Sequence, residues 1–223
     1  MDKAVVLLSG GLDSTVTIAQ AIKDCDEVFA LHAGYGQLTE TREFKAFENV
    51  CKFYNIKEKL IVNLDYLKEI GGSSLTDKTM IVETGGTGLE NEIPDTYVPF
   101  RNGNLLAIAS SLAEVKGASR IYIGAVEEDS SGYPDCRKEF FDAFIVAVNL
   151  GNRPETNLSI HLPLIDLSKK EIVELGIKLG APLKYSWSCY TGIEKACGIC
   201  DSCILRLKGF KNAGQTDPIP YEN

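Results

Sequence analysis

Lys3-Ala4-Val5-Val6-Leu7-Leu8-Ser9-Gly10-Gly11-Leu12-Asp13-Ser14 is the stretch on which the fold turns. An apolar run containing β-branched residues and ended by glycines reads as a parallel strand buried on both faces, running into a tight turn. Leu12, Val16, Ala19 and Ile22 then recur at helical spacing. Glycines between a strand and a helix let backbone N–H groups come close to a ligand, and the helix amino terminus adds partial positive charge. Leu8, Ser9, Gly10, Gly11, Leu12, Asp13 and Ser14 are therefore the candidate phosphate- or pyrophosphate-binding segment, with the Ser9 and Ser14 hydroxyls as further donors. The segment lacks the Gly-Lys-Ser/Thr ending of the Walker loop and is shorter than G-x-G-x-x-G, so neither a common NTPase nor a nicotinamide enzyme is indicated.

Outward from this turn, strands and helices alternate. Residues 28–31 read as a second buried strand, and Phe44, Phe47, Val50, Cys51 and Tyr54 as the core face of a helix. Residues 59–62 read as a third strand. From 71 to 95 the periodicity fails, and Gly85-Gly86-Thr87-Gly88 with Pro94 marks a long loop without core positions, of the kind that serves as a lid or stays disordered. Residues 102–116 form an alanine- and leucine-rich helix and 120–123 a fourth strand. Residues 135–150 form an amphipathic helix through Phe140, Phe141, Phe144, Ile145 and Val148, with Gly151 placed to cap it. Residues 158–162 read as a fifth strand, and Ser168-Lys169-Lys170-Glu171 as a capping box opening a helix that stops near Gly180 and Pro182. Lys169 and Lys170 are read as exposed lysines at a helix start and left out of the site. The pattern predicts an α/β fold: a doubly wound, mostly parallel five-stranded sheet spanning 1–183, a small cysteine-stapled appendage at 184–212 and a tail at 213–223.

A chain of 223 residues suits one globular domain, and no apolar run reaches the roughly 18 residues of a membrane span. The opening strand breaks into Ser-Gly-Gly too early for a signal peptide, which places the protein in the cytoplasm. A net charge of -8 disfavours nucleic acid, whose binding runs on lysine and arginine contacts to phosphate, and favours a small-molecule substrate.

Four of seven cysteines fall in Cys189-x7-Cys197-x2-Cys200-x2-Cys203. Four thiolates close a tetrahedral zinc site with no open position, which implies a structural role. Two overlapping C-x-x-C pairs leave a redox pair or an iron–sulfur ligand set open. Cys25 and Cys51 read as small buried hydrophobes. His32 and His161, at the ends of parallel strands, are open to a ligand-binding or a structural role.

Ser-Gly-Gly-x-Asp-Ser resembles the pyrophosphate loop of enzymes that attack the α-phosphorus of ATP, where Asp13 matches an acidic position associated with magnesium. Three further stretches narrow the resemblance: Val98-Pro99-Phe100-Arg101-Asn102-Gly103-Asn104, the segment from Gly124 to Tyr133-Pro134-Asp135-Cys136-Arg137, and the ending from Ser188-Cys189-Tyr190 through Cys203, Arg206, Gly209 and Phe210. With these the chain resembles the 7-cyano-7-deazaguanine synthase family. The resemblance implies a cytoplasmic homodimeric ligase of queuosine biosynthesis that uses ATP, Mg2+ and structural Zn2+ to turn 7-carboxy-7-deazaguanine and ammonium into the nitrile preQ0. Whether AMP or ADP is released stays open. Catalytic roles are expected for Ser9, Asp13 and Arg101. Arg101, Asn102, Tyr133, Asp135 and Arg137 are the candidates for holding the acceptor, although Asp135 is equally read as the cap of the helix it opens. Two other readings are a tRNA sulfur transferase with a persulfide on Cys197 or Cys200, and a nucleotide-binding sensor without turnover.

Overall fold

The computed structural model describes the chain except residues 78, 81, 83–92, 128–131 and 223. The Gly85-Gly86-Thr87-Gly88 stretch and Glu128 to Ser131 lie outside the described residues. Five parallel strands, β1 (Lys3–Leu7), β2 (Glu27–Gly34), β3 (Lys59–Asn63), β4 (Arg120–Tyr122) and β5 (Ser159–His161), form one sheet in the order β3-β2-β1-β4-β5. The α-helices among the described residues are α1 (Leu12–Asp24), α2 (Glu40–Phe53), α3 (Asp65–Ile70), α4 (Arg101–Lys116), α5 (Lys138–Gly151), α6 (Lys169–Lys178) and α7 (Asp201–Asn212), with 3-10 turns at Pro134–Cys136 and Leu183–Tyr185.

The period-two alternation of a strand assigns the faces. Ala4, Val6 and Leu8 pack with Ile18 and Ala21 of α1 and Phe47, Val50 and Cys51 of α2. Val5 and Leu7 point the other way, onto Leu106, Ala109 and Ala113 of α4 and Phe141 of α5. Burial on both sides is why the opening run is continuously apolar. The chain moves from β1 out to β2 and β3, then returns to place β4 on the other side of β1. That reversal opens a crevice at the carboxyl end of β1, where ligands of open α/β sheets bind.

The five strands and the doubly wound sheet fall where the sequence places them, and three local expectations need correction. The 71–95 stretch does contain core positions: Leu75 is buried with Tyr35, Leu64, Leu67 and Val98, and Ser73, Ser74 and Thr76 are buried beside it. One apolar residue among hydroxyls has no period to detect. Gly151 is the last residue of α5 and not a left-handed cap; Asn152 follows in extended conformation, its N–H bonding the Val148 carbonyl at 3.0 Å. The turn toward β5 is held instead by Asn149, whose side chain makes both bonds to the Leu158 backbone, at 2.8 and 2.9 Å. The helix expected from residue 135 is split into a 3-10 turn, Pro134–Cys136, and α5. The capping box at Ser168 and Glu171 is present as expected. No helix of the described residues is long and apolar enough to cross a membrane.

Residues beyond 184 pack onto the sheet domain. The Trp187 N–H donates to the Gly10 carbonyl at 2.8 Å, and the Arg42 guanidinium lies 4.0 Å from the Trp187 ring. The final segment is anchored by Arg206, which pairs with Asp217 at 2.7 and 3.0 Å and donates to Ser186 Oγ at 2.8 Å. The Tyr221 hydroxyl donates to the same carboxylate at 2.6 Å. Both ionic side chains are almost fully buried, with exposures of 1% and 2%, so removing one partner strands a desolvated charge. Asp217→Asn should cost roughly 3–5 kcal/mol of unfolding free energy, read as a lowered urea midpoint.

Candidate functional site

Gly10 takes φ +94°, which L side chains rarely adopt, and a Cβ there would lie 2.7 Å from the Glu43 carbonyl oxygen and 2.9 Å from the Phe47 backbone nitrogen. The loop is therefore pressed directly against α2, and only glycine fits. Behind it, the Leu8 N–H donates to the Leu31 carbonyl at 2.8 Å, and the Leu8 carbonyl faces His32 Nδ1 at 3.0 Å. Burial holds the His32 pKa below its ordinary value, and the ring stacks 4.7 Å from Phe47. His32 thus fixes the strand end beneath the loop and does not line the cavity above it. His161 is likewise packed, 4.6 Å from the Tyr122 ring.

The loop amides of Gly10, Gly11 and Leu12 donate to the hydroxyls of Ser14, Ser9 and Ser188 at 3.2, 3.2 and 3.4 Å. These are long for hydrogen bonds and easily exchanged for an anion's oxygens. No side chain caps α1, so its dipole and first-turn amides are turned to the same place. Lys169 Nζ lies 3.1 Å from both carboxylate oxygens of Asp13 and is largely buried. This corrects its assignment as an exposed lysine: the capping box that starts α6 sets Lys169 against the loop, through a contact spanning 156 residues.

A cavity of about 290 Å³ opens over the turn. Leu8, Ser9, Gly11, Leu12, Asp13 and Ser14 line one side, and Arg101, Asn102 and Tyr133 also contribute to its wall. Gly10 sits behind, against α2. Arg101 is delivered by a bend: Phe100 takes the left-handed φ of +53°, strained for a non-glycine residue, and α4 begins at the next residue. Arg101 Nη1 donates to the Tyr35 hydroxyl at 3.0 Å, with the guanidinium 5.3 Å from the Tyr35 ring centroid. Burial pushes the Tyr35 pKa up to about 12, so it accepts as a neutral phenol.

Asp135 and Arg137 do not line the cavity. Asp135 is buried, and its Oδ2 accepts the Asn102 N–H at 2.8 Å, while Asn102 Nδ2 donates to the Asp135 carbonyl at 3.1 Å. It caps α4, 33 residues away, and not the helix that follows it. Burial raises the Cys136 pKa to about 11, so this cavity-lining thiol stays protonated and is a poor nucleophile. Tyr133 meets Thr96 Oγ1 at 2.7 Å and packs 5.5 Å from the Tyr97 ring. Tyr35, Gln37, Glu43 and Tyr190 line the cavity without having been singled out from sequence. The signal that could have found three of them is position: Gly34-Tyr35-Gly36-Gln37 leaves the carboxyl end of β2, and Glu43 lies in the first turn of α2.

The four carboxy-terminal cysteines come together, their sulfur atoms all within 4.8 Å of one another and Cys197 Sγ 3.9 Å from Cys203 Sγ. A tetrahedral ion with metal–sulfur bonds of ~2.3 Å separates its ligands by ~3.8 Å, so the donor set fits a metal. Backbone amides support it: the N–H groups of Gly192 and Cys197 donate to Cys189 Sγ at 3.0 and 3.3 Å, and that of Cys200 to Cys197 Sγ at 3.3 Å. The cluster also reaches the cavity, since the Thr39 hydroxyl lies 3.3 Å from the Cys189 carbonyl and Ser188 meets the loop.

Strand order and the glycine turn at the carboxyl end of β1 define an open, doubly wound α/β protein with its cavity at the switch point of the sheet. Within that class the chain belongs to the family described as "Queuosine biosynthesis protein QueC", whose sequence model matches residues 3–214. It is 56% identical over 221 residues to a protein of Chlorobium phaeobacteroides (strain DSM 266 / SMG 266 / 2430) named 7-cyano-7-deazaguanine synthase, covering 99% of this chain and 97% of that one. A Campylobacter curvus protein of the same name is 50% identical over 223 residues, covering 100% and 99%. Among solved structures, a 4-thiouridine synthetase–RNA complex with bound ATP superposes with TM-score 0.52 at 18% identity, over 99% of this chain and 47% of that one. A predicted tRNA methyltransferase subunit from Methanocaldococcus jannaschii gives 0.51 at 14% identity, over 100% and 93%. The latter two share the fold alone.

Trp187 is the sole tryptophan, and it sits between the cysteine segment, Gly10 and Arg42. Where a metal fills this donor set its binding energy is folding energy for the segment, so a chelator that removes it should shift the Trp187 emission to the red and lower the melting temperature. Re-adding a divalent ion should restore both, and Cys200→Ala should show the stripped spectrum from the start.

Proposed function

We propose that the chain is an ATP-dependent ligase that makes 7-cyano-7-deazaguanine from 7-carboxy-7-deazaguanine and ammonia. Membership in the queuosine family supports the product, and one geometric observation supports the chemistry: the loop amides and Arg101 share the walls of a single cavity. A carboxylate resists ammonia because it is anionic and has no good leaving group. Transfer of AMP from ATP to a carboxylate oxygen, with release of pyrophosphate, supplies one. Attack by ammonia then gives the amide and AMP. A second transfer to the amide oxygen lets that oxygen leave with AMP as the N–H protons are lost and the nitrile forms.

Ser9, Ser14 and the amides of Gly11 and Leu12 hold the outer phosphates in this proposal, with Gly10 shaping the turn behind them. Asp13 and Lys169 flank them, the carboxylate being the position for Mg2+, which neutralises phosphate charge. Arg101 stabilises charge developing at the acceptor and the α-phosphorus, and Tyr133 supplies a ring wall. Asp135, by capping α4, positions Arg101 and does not itself touch the acceptor. Zn2+ is our assignment for the four thiolates, a closed structural site. Persulfide chemistry is disfavoured because Cys189, Cys200 and Cys203 are buried and the four sulfur atoms are gathered on one another.

The test is direct: purified protein with ATP, Mg2+, ammonium and 7-carboxy-7-deazaguanine should yield the amide, the nitrile, AMP and pyrophosphate by mass spectrometry. Glutamine in place of ammonium should give nothing, because free ammonia is the proposed nucleophile. Nucleotide turnover that ignores the deazaguanine would overturn the proposal. Lys169→Met should raise the KM for ATP on the order of 10-fold, in line with a lost charge-assisted contact, while leaving the KM for the acceptor near its original value.

A further inference from the structure

A guanine-like ring presents adjacent imino and amino N–H groups along one edge, and the group best matched to two parallel donors in a shielded wall is a carboxylate. The described cavity lining holds two carboxylates, Asp13 and Glu43. Asp13 belongs to the phosphate turn and is paired with Lys169 at 3.1 Å. Asp135 is committed to the Asn102 N–H outside the cavity. That leaves Glu43, whose partners among the described residues are neutral: the Thr39 hydroxyl donates to Oε1 at 2.8 Å and the Gln37 amide to Oε2 at 3.1 Å. Each oxygen keeps capacity for a second hydrogen bond.

The carboxylate is also oriented. The Tyr35 N–H donates to Gln37 Oε1 at 2.9 Å, which turns the amide so that its NH2 faces Glu43. The Thr39 hydroxyl lies between Glu43 and the Cys189 carbonyl, so the cysteine segment limits where it can move. Tyr35, Tyr133 and Tyr190 line the same cavity and offer ring faces for a flat heterocycle. Burial raises the Glu43 pKa, with Thr39, Gln37 and Arg101 opposing the rise, so an N–H donor pair arriving from a ligand would relieve a desolvated group.

We infer that Glu43, held by Gln37 and Thr39, reads the imino and amino edge of the acceptor base and so sets the enzyme's selectivity for a 2-amino-pyrimidinone ring. This rests on the proposed acceptor being a 7-deazaguanine. Calorimetric titration of wild type and Glu43→Gln with 7-carboxy-7-deazaguanine, with its analogue lacking the 2-amino group, and with a non-hydrolysable ATP analogue tests it. Wild type should bind the acceptor at least 10-fold tighter than the analogue. Glu43→Gln should bind the acceptor on the order of 10- to 100-fold more weakly, discriminate the two rings less than threefold, and hold the ATP analogue within twofold of wild type. Acceptor binding by Glu43→Gln within threefold of wild type, an equal loss for both rings, or a loss of ATP affinity in its place would overturn the inference. Because the wild-type comparison of the two rings needs no substitution, a poorly folded variant still leaves the selectivity open to refutation. Wild type that binds ATP but neither ring would instead sink the acceptor assignment itself.

Discussion

The contact between Gly10 and the first turns of α2 is the constraint on which the rest depends. Backbone meets backbone there with no room for a Cβ, and the same glycine accepts the Trp187 N–H through its carbonyl. The turn is thereby clamped between a helix of the sheet domain and the segment that carries the cysteines. In the proposed function this clamp matters because amides already fixed in place avoid reorganisation when charge arrives. The clamp ties the four-cysteine cluster to the turn through its neighbours in sequence: Trp187 and Ser188 both bond to the turn.

The cavity divides its functions by element. The carboxyl end of β1 and the start of α1 supply backbone amides, the donors for phosphate in the proposed function, and Lys169 at the start of α6 balances Asp13. The bend at Phe100 and the cap from Asp135 set Arg101 at the first residue of α4. The exit of β2 supplies Tyr35 and Gln37, and α2 supplies Glu43. Each group stands at or near the end of a regular element that packs along its length on the sheet, which is how a small site achieves fixed geometry without a large domain around it.

Asp135 shows how a residue type can be chosen correctly while its partner is misjudged. An acidic residue beside a helix start reads as a cap for that helix or as a base reader. It caps a different helix, because the chain folds back so that the Pro134–Cys136 turn sits over the amino terminus of α4. Lys169 errs in the same direction: its neighbours in sequence make it look like one of many solvent lysines, and only the approach of α6 to α1 brings it to Asp13. Glu43 carries only its place in the first turn of the helix after β2 as a mark, since the periodicity of that helix reports its apolar face.

The sequence by itself determined the order of the five strands along the chain, the doubly wound sheet, the glycine turn between β1 and α1, the capping box at Ser168 and the grouping of four cysteines. All of these rest on contacts between near neighbours, on period, or on a spacing that chemistry restricts to few uses. Tertiary structure decided which residues meet: Lys169 with Asp13, Asp135 with Asn102, Gln37 and Thr39 with Glu43, and Arg206 with Asp217. Of these, the pairs that join distant segments are set by how helices come to rest on the two faces of the sheet, and no local pattern encodes the distance between residues 13 and 169.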